Sequence, residues 1–130
     1  MHSVALLAWH QPLLHAAPRL ALPTPADFAS PFSWDAAYQS EAENAQADWL
    51  LPYSGQYRSA LLARLNARHS VLELGCGTSS LATGLAADGF AVTACDASRE
   101  AVRRANARKS GDGVRPRYVV ADARATGLAT

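Results

Sequence analysis

Cysteine is scarce in this chain: Cys76 and Cys95 are the whole supply among 130 residues. Their separation fits neither a metal-ligand nor a dithiol spacing. They read as two reduced, partly buried thiols, which suits a reducing compartment. No apolar run approaches about 18 residues, which excludes a membrane-spanning helix. Charge of one sign is lacking too. Twelve Lys and Arg against eleven Asp and Glu leave a net charge of +1 and a pI near 7.9, so no general affinity for polyanions follows. Acids are missing before Asp27, and Arg19 is the lone arginine of the first 30 residues. A secretory signal needs a charged start and a longer apolar core than Val4-Ala5-Leu6-Leu7-Ala8-Trp9. A mitochondrial transit peptide needs more Arg and Ser than this stretch holds. With Pro12, Pro18, Pro23 and Pro25, residues 1–30 are expected to be a poorly ordered leader, with a transit peptide as the alternative. A cytoplasmic location is expected, a mitochondrial one if the leader is a transit peptide.

What is present is one modest core, since 49% of the residues are hydrophobic. Its centre is Val71-Leu72-Glu73-Leu74-Gly75-Cys76-Gly77-Thr78-Ser79-Ser80, which reads as a buried strand, a glycine turn and a helix start. A second apolar strand ends at Asp96, and a third, Arg117 to Ala121, at Asp122. Between them, helices are expected from about Ser79 to Gly89 and from Arg99 to Lys109, capped by Thr78 or Ser79 and by Ser98. Leu81 and Leu85 should face inward. Ser110-Gly111-Asp112-Gly113 reads as a turn. Upstream, Ser33 or Asp35 should cap a helix running to about Asn44, with Trp34 and Tyr38 on one face. Ser54 should cap another, from Gly55 to Ala67, with Tyr57, Leu61, Leu62 and Leu65 at helical spacing. Strand–helix–strand–helix–strand predicts an α/β fold with a parallel sheet and right-handed crossovers.

The glycine pattern narrows the ligand. A dinucleotide fingerprint has a third glycine where this chain has Ser80, and the acid Glu73 would repel a pyrophosphate. A carboxylate there suits an ammonium. Asp96, about twenty residues on, suits ribose hydroxyls. Arg99, Arg103, Arg104, Arg108, Lys109, Arg115 and Arg117 read as a solvated helix face with charges favourable at a helix C-terminus, and no nucleic acid is expected as a partner.

Glu-x-Gly-x-Gly followed by an acid at the end of the next strand resembles the class I methyltransferases that use S-adenosylmethionine (SAM). Trp34-Asp35-Ala36-Ala37-Tyr38, Asp48-Trp49, Thr83-Gly84-Leu85 and Ala121-Asp122-Ala123 are similar to elements of the protein-lysine branch. That branch includes the elongation-factor and citrate synthase lysine methyltransferases. The resemblance runs from about Phe32 to Leu128. It implies a Rossmann-like parallel sheet, here truncated after the third strand, so that residues 31–130 are the N-terminal part of a methyltransferase domain with the edge of the first strand left unpaired. It implies SAM as methyl donor, no metal, and a protein substrate presenting a lysine. Trp34, Tyr38 and Trp49 would pack around the methionine end of SAM, with Glu73 near its ammonium and Gly75 and Gly77 beneath it. Asp96 would accept from the ribose hydroxyls with Ala97 beside the adenine. Asp122 would accept from the adenine amino group, and the Ala123 backbone would contact the ring. No residue is identified as a catalytic base. A small-molecule acceptor and a non-catalytic binding module are the alternative functions, and the oligomeric state stays open.

Overall fold

The computed structural model describes residues 3–7, 31–41, 48, 51–108 and 114–128. The elements are β1 (Ser3–Leu7), α1 (Pro31–Ser40), α2 (Gly55–Leu62), β2 (Ser70–Leu74), α3 (Leu81–Ala87), β3 (Ala91–Asp96), α4 (Arg99–Ala107) and β4 (Arg117–Val120). All strand pairs are parallel and the sheet order is β1-β2-β3-β4. The open parallel α/β sheet with alternating helices is the Rossmann-like architecture expected from the sequence.

Register follows from side-chain parity. Val71 pairs with Val92 and Glu73 with Ala94, so Val71, Glu73, Val92 and Ala94 share one face. That face packs against Leu81, Ala82, Leu85 and Ala86 of α3, with Cys76 and Phe90 completing the cluster. Tyr53, Tyr57, Leu61, Leu62 and Leu65 pack against it from the α2 side. The helical spacing expected around α2 therefore does bring its apolar residues inward, although the helix ends at Leu62, short of Ala67.

The ends of α3 show how local sequence sets the element. Gly89 adopts φ +91°, which an L side chain rarely takes. Its N–H donates to the Ala86 carbonyl at 3.0 Å and the Phe90 N–H to the Leu85 carbonyl at 3.1 Å, the paired bonds of a Schellman stop. At the other end the N-cap is Ser80, not Thr78 or Ser79, and its hydroxyl makes no cap bond within the helix. For α4 the expected Ser98 cap is present: its Oγ accepts from the Ala101 N–H at 3.0 Å.

β1 departs from the sequence reading, which leaves residues 1–30 outside the sheet and the edge of the Val71 strand unpaired. Ser3–Leu7 lies along that edge, in register from Ser3↔Ser70 to Leu7↔Leu74. An apolar strand edge leaves backbone N–H and C=O groups without partners, and the run Ser-Val-Ala-Leu-Leu can supply them. The expected turn at residues 110–113 and the end of the first helix at Asn44 lie outside the described residues. Among the described residues no helix is long and apolar enough to cross a membrane.

Candidate functional site

Every strand runs the same way, so the carboxyl ends of β2 and β3 meet at one edge of the sheet, where ligands bind in open α/β folds. The Gly75–Gly77 turn leaves β2 there. Both glycines have positive φ, +69° and +49°. The Gly75 and Cys76 N–H groups both donate to the Cys95 carbonyl, at 2.8 and 3.0 Å, which fixes the turn to the end of β3. A Cβ added to Gly75 would meet open space, whereas one added to Gly77 would collide with the Tyr38 hydroxyl.

Glu73 is 2% exposed at the base of this turn. Its Oε1 accepts from the Ser79 hydroxyl at 2.9 Å, and its Oε2 is buried with no hydrogen-bond partner. Burial, helped by the neighbouring Asp48 and Asp96, pushes the carboxyl up to about 7 against the lowering effect of the Ser79 hydroxyl and the Ala82 N–H. A buried carboxylate oxygen with a vacant acceptor position is a site for a cationic donor, since leaving such a group unpaired is costly.

Asp96 closes β3. Its Oδ2 accepts from the Gly77 N–H and its Oδ1 from the Ser98 N–H, both at 2.8 Å. Burial raises its carboxyl above the ordinary range, against the lowering effect of these N–H groups. Each oxygen retains further acceptor capacity, which ribose hydroxyls would use. Ala97, half-buried, follows directly.

Tyr38 is buried, and Trp34 lies against it with ring centroids 6.4 Å apart. Burial first, then the nearby Asp96, raises the Tyr38 phenol well above its ordinary value, so it stays protonated. The structure thus brings together Tyr38, Trp34, Glu73, Gly75, Gly77, Asp96 and Ala97. Trp49 lies outside the described residues. Asp122 and Ala123 are exposed, past the end of β4. The Asp122 carboxylate is taken by the Arg124 guanidinium at 2.6 Å, which lowers it to about 2.

Three residues are missed by sequence reasoning. Ser79 holds Glu73. Asp35 accepts from the Ser98 hydroxyl at 2.5 Å and from the Glu100 N–H at 3.0 Å. Asp48 accepts from the Ser80 N–H at 2.7 Å and the Ser80 hydroxyl at 2.8 Å. Both aspartates sit in the aromatic elements quoted above, where the rings draw attention and the acids do not. Ser80 itself occupies the place of the absent third glycine. Its φ of −88° needs no glycine, and its Oγ also accepts from the Tyr53 N–H at 2.9 Å. Cys76 and Cys95 are free and buried, and burial pushes both thiols up, away from reactivity. Of the basic cluster, Arg103 and Arg104 pair with Glu100 at 2.7 and 2.8 Å, and Arg108 reaches the Ser79 carbonyl at 3.2 Å. Among the described residues no group of three or more His, Cys, Asp or Glu is arranged to hold a metal ion.

Residues 71–130 match the family model described as a methyltransferase domain. The match begins at Val71 in β2 and takes in Glu73, both turn glycines, Asp96 and Asp122. It supports a class I SAM-dependent methyltransferase and implies SAM as the methyl donor. No solved structure matches the chain. The aromatic elements around Trp34 and Asp48 lie outside the matched residues.

Proposed function

We propose that this chain binds SAM at the Gly75–Gly77 turn and serves methyl transfer to lysine side chains of a protein. The observation that carries the cofactor reading is the buried, unpartnered Oε2 of Glu73. The residues fit SAM on three counts. Glu73 offers a carboxylate to its ammonium, Gly75 leaves space above the turn, and Asp96 keeps acceptor capacity for ribose hydroxyls. Ala97 and the backbone of Ala123 would border the adenine, with Asp122 at its amino group once released from Arg124. Trp34, Tyr38 and Trp49 would enclose the methionine end.

When bound, SAM supplies an electrophilic methyl on a sulfonium. The task left to the chain is approach geometry and exclusion of water, because in-line displacement gains most from a prearranged contact. The buried Tyr38 ring over the turn provides that exclusion. A lysine acceptor must arrive neutral, although its free pKa is about 10.4. Desolvation beside the aromatic residues favours the neutral amine. The lysine reading rests on the resemblance of Trp34-Asp35-Ala36-Ala37-Tyr38 and Asp48-Trp49 to the protein-lysine branch, supported by the burial of Tyr38 over the turn.

Calorimetry with SAM tests the cofactor reading. Wild-type protein should bind, and Glu73→Gln should weaken binding roughly tenfold or more, the loss of one charge-assisted contact. Equal affinity for both would refute the assignment of Glu73. Incubating the protein with methyl-labelled SAM and a cell lysate then tests the acceptor. Label on lysine side chains is expected. Label confined to metabolites would establish the small-molecule alternative, and binding with no transfer at all would leave a binding module.

A further inference from the structure

Asp35 and Asp48 stand on either side of Tyr38 in the sequence, and each crosses to the start of a different helix. Asp35, in α1, bonds the Ser98 hydroxyl and the Glu100 N–H at the start of α4. Asp48 bonds the N–H and hydroxyl of Ser80 at the start of α3. A carboxylate at a helix N-terminus meets unsatisfied N–H groups and the positive end of the helix dipole, so these contacts are charge-assisted. α1 is tied a second time just past its C-terminal end, where Arg104, itself buried, donates to the Glu41 carbonyl at 3.2 Å. α1 therefore packs on α4, held at its middle and at its C-terminal end. Between these anchors, Tyr38 reaches across and sets its hydroxyl against Gly77. The loops that begin α3 and α4 are the same loops that carry the glycine turn and Asp96.

We propose that Asp35 and Asp48 are positioning residues. Asp35 holds α1, and with it Tyr38, to the start of α4, and Asp48 holds the Ser80 end of the loop that carries Gly77, so both act on cofactor affinity through the contact of Tyr38 with Gly77. The inference rests on the SAM reading for its functional consequence, but the positioning has its own readout. The Tyr38 hydroxyl lies against Gly77, whose N–H donates to Asp96, so the Gly77 amide NMR shift in the ligand-free protein is sensitive to where the tyrosine sits.

The experiment compares Asp35→Asn, Asp48→Asn, Tyr38→Ala and the two double variants. Three quantities are measured: the Gly77 amide shift, the Tm, and the affinity for S-adenosylhomocysteine, which is SAM without its transferable methyl. Each single variant should move the Gly77 shift in the same direction and weaken binding roughly tenfold. Each double variant should bind no more weakly than Tyr38→Ala alone, because residues acting through one contact are non-additive. Asp35→Glu, which keeps the charge, should recover part of the loss. Should Asp35→Asn fail to fold, Ser98→Ala removes one of its two partners and carries the same comparison. Additive losses, or a lower Tm with unmoved Gly77 shift and affinity, would overturn the proposal and leave the aspartates as stabilising caps only. If the wild type binds no S-adenosylhomocysteine while the Gly77 shift still moves as described, the cofactor reading fails and the positioning stands.

Discussion

Glu73 concentrates the chemistry of the site in one side chain. Its carboxyl rises from the ordinary 4.5 to about 7 on folding because it is buried. A raised acid binds a proton more readily in the folded chain, so its contribution is fully present below pH 4.5 and is lost as pH climbs through 7. The loss amounts to about 3 kcal/mol by the usual linkage. Glu73→Gln, which resembles the protonated form, should therefore flatten the fall in Tm between pH 5 and pH 8; an unchanged slope would show that Glu73 does not titrate there. A cationic ligand reverses the preference. Its affinity should rise with pH up to about 7, as the ionised carboxylate becomes the dominant form, and calorimetry across that range would show it. The acid before the glycines was legible in the sequence because strand, turn and carboxylate are contiguous. That it is held by Ser79 was not, because a hydroxyl six residues on meets it only once the turn has closed.

At the scale of the elements, α3 is fixed less by its own residues than by what lies on it. A Cβ added to Gly84 would run into the Tyr53 ring, so the glycine serves close packing of that ring on the helix. The Tyr53 hydroxyl in turn donates to Asp88 at 2.7 Å, and Arg58 of α2 pairs with the same carboxylate. Helix propensity alone would make Gly84→Ala stabilising by about 1 kcal/mol. The collision outweighs it, since overpacking costs about 1–3 kcal/mol. The expected result is a lower Tm for Gly84→Ala in the wild type and a higher one in a Tyr53→Ala background. A rise in both would mean the ring yields without cost. Periodicity revealed the inward faces of α2 and α3, since burial and spacing speak about one element at a time. It was silent on Asp35, Asp48 and Asp88, whose partners sit 30 to 65 positions away and follow no period.

Across the whole molecule, the β2 edge is paired by a strand from near the start of the sequence. β1 covers the apolar edge of β2 that the sequence reading leaves bare. Removing residues 1–8 should uncover that edge, lower the Tm, and raise light scattering at micromolar concentration; an equally stable, monodisperse shortened protein would show that β1 contributes nothing to the edge. The strand escaped sequence reasoning because Val4 to Leu7 is a short apolar run without alternation, set beside prolines, and such runs carry no signature of their partner.

The pairing of Ser3 with Ser70 also orders events in time. β1 is separated from its neighbour by about half of the sequence, so it cannot be placed until β2 has left the ribosome. At about 5–20 residues per second the wait is on the order of several seconds. The loop that closes is long, and such contacts are slow to form. During synthesis β1 can pair from the moment β2 emerges, while β3 and β4 follow it out.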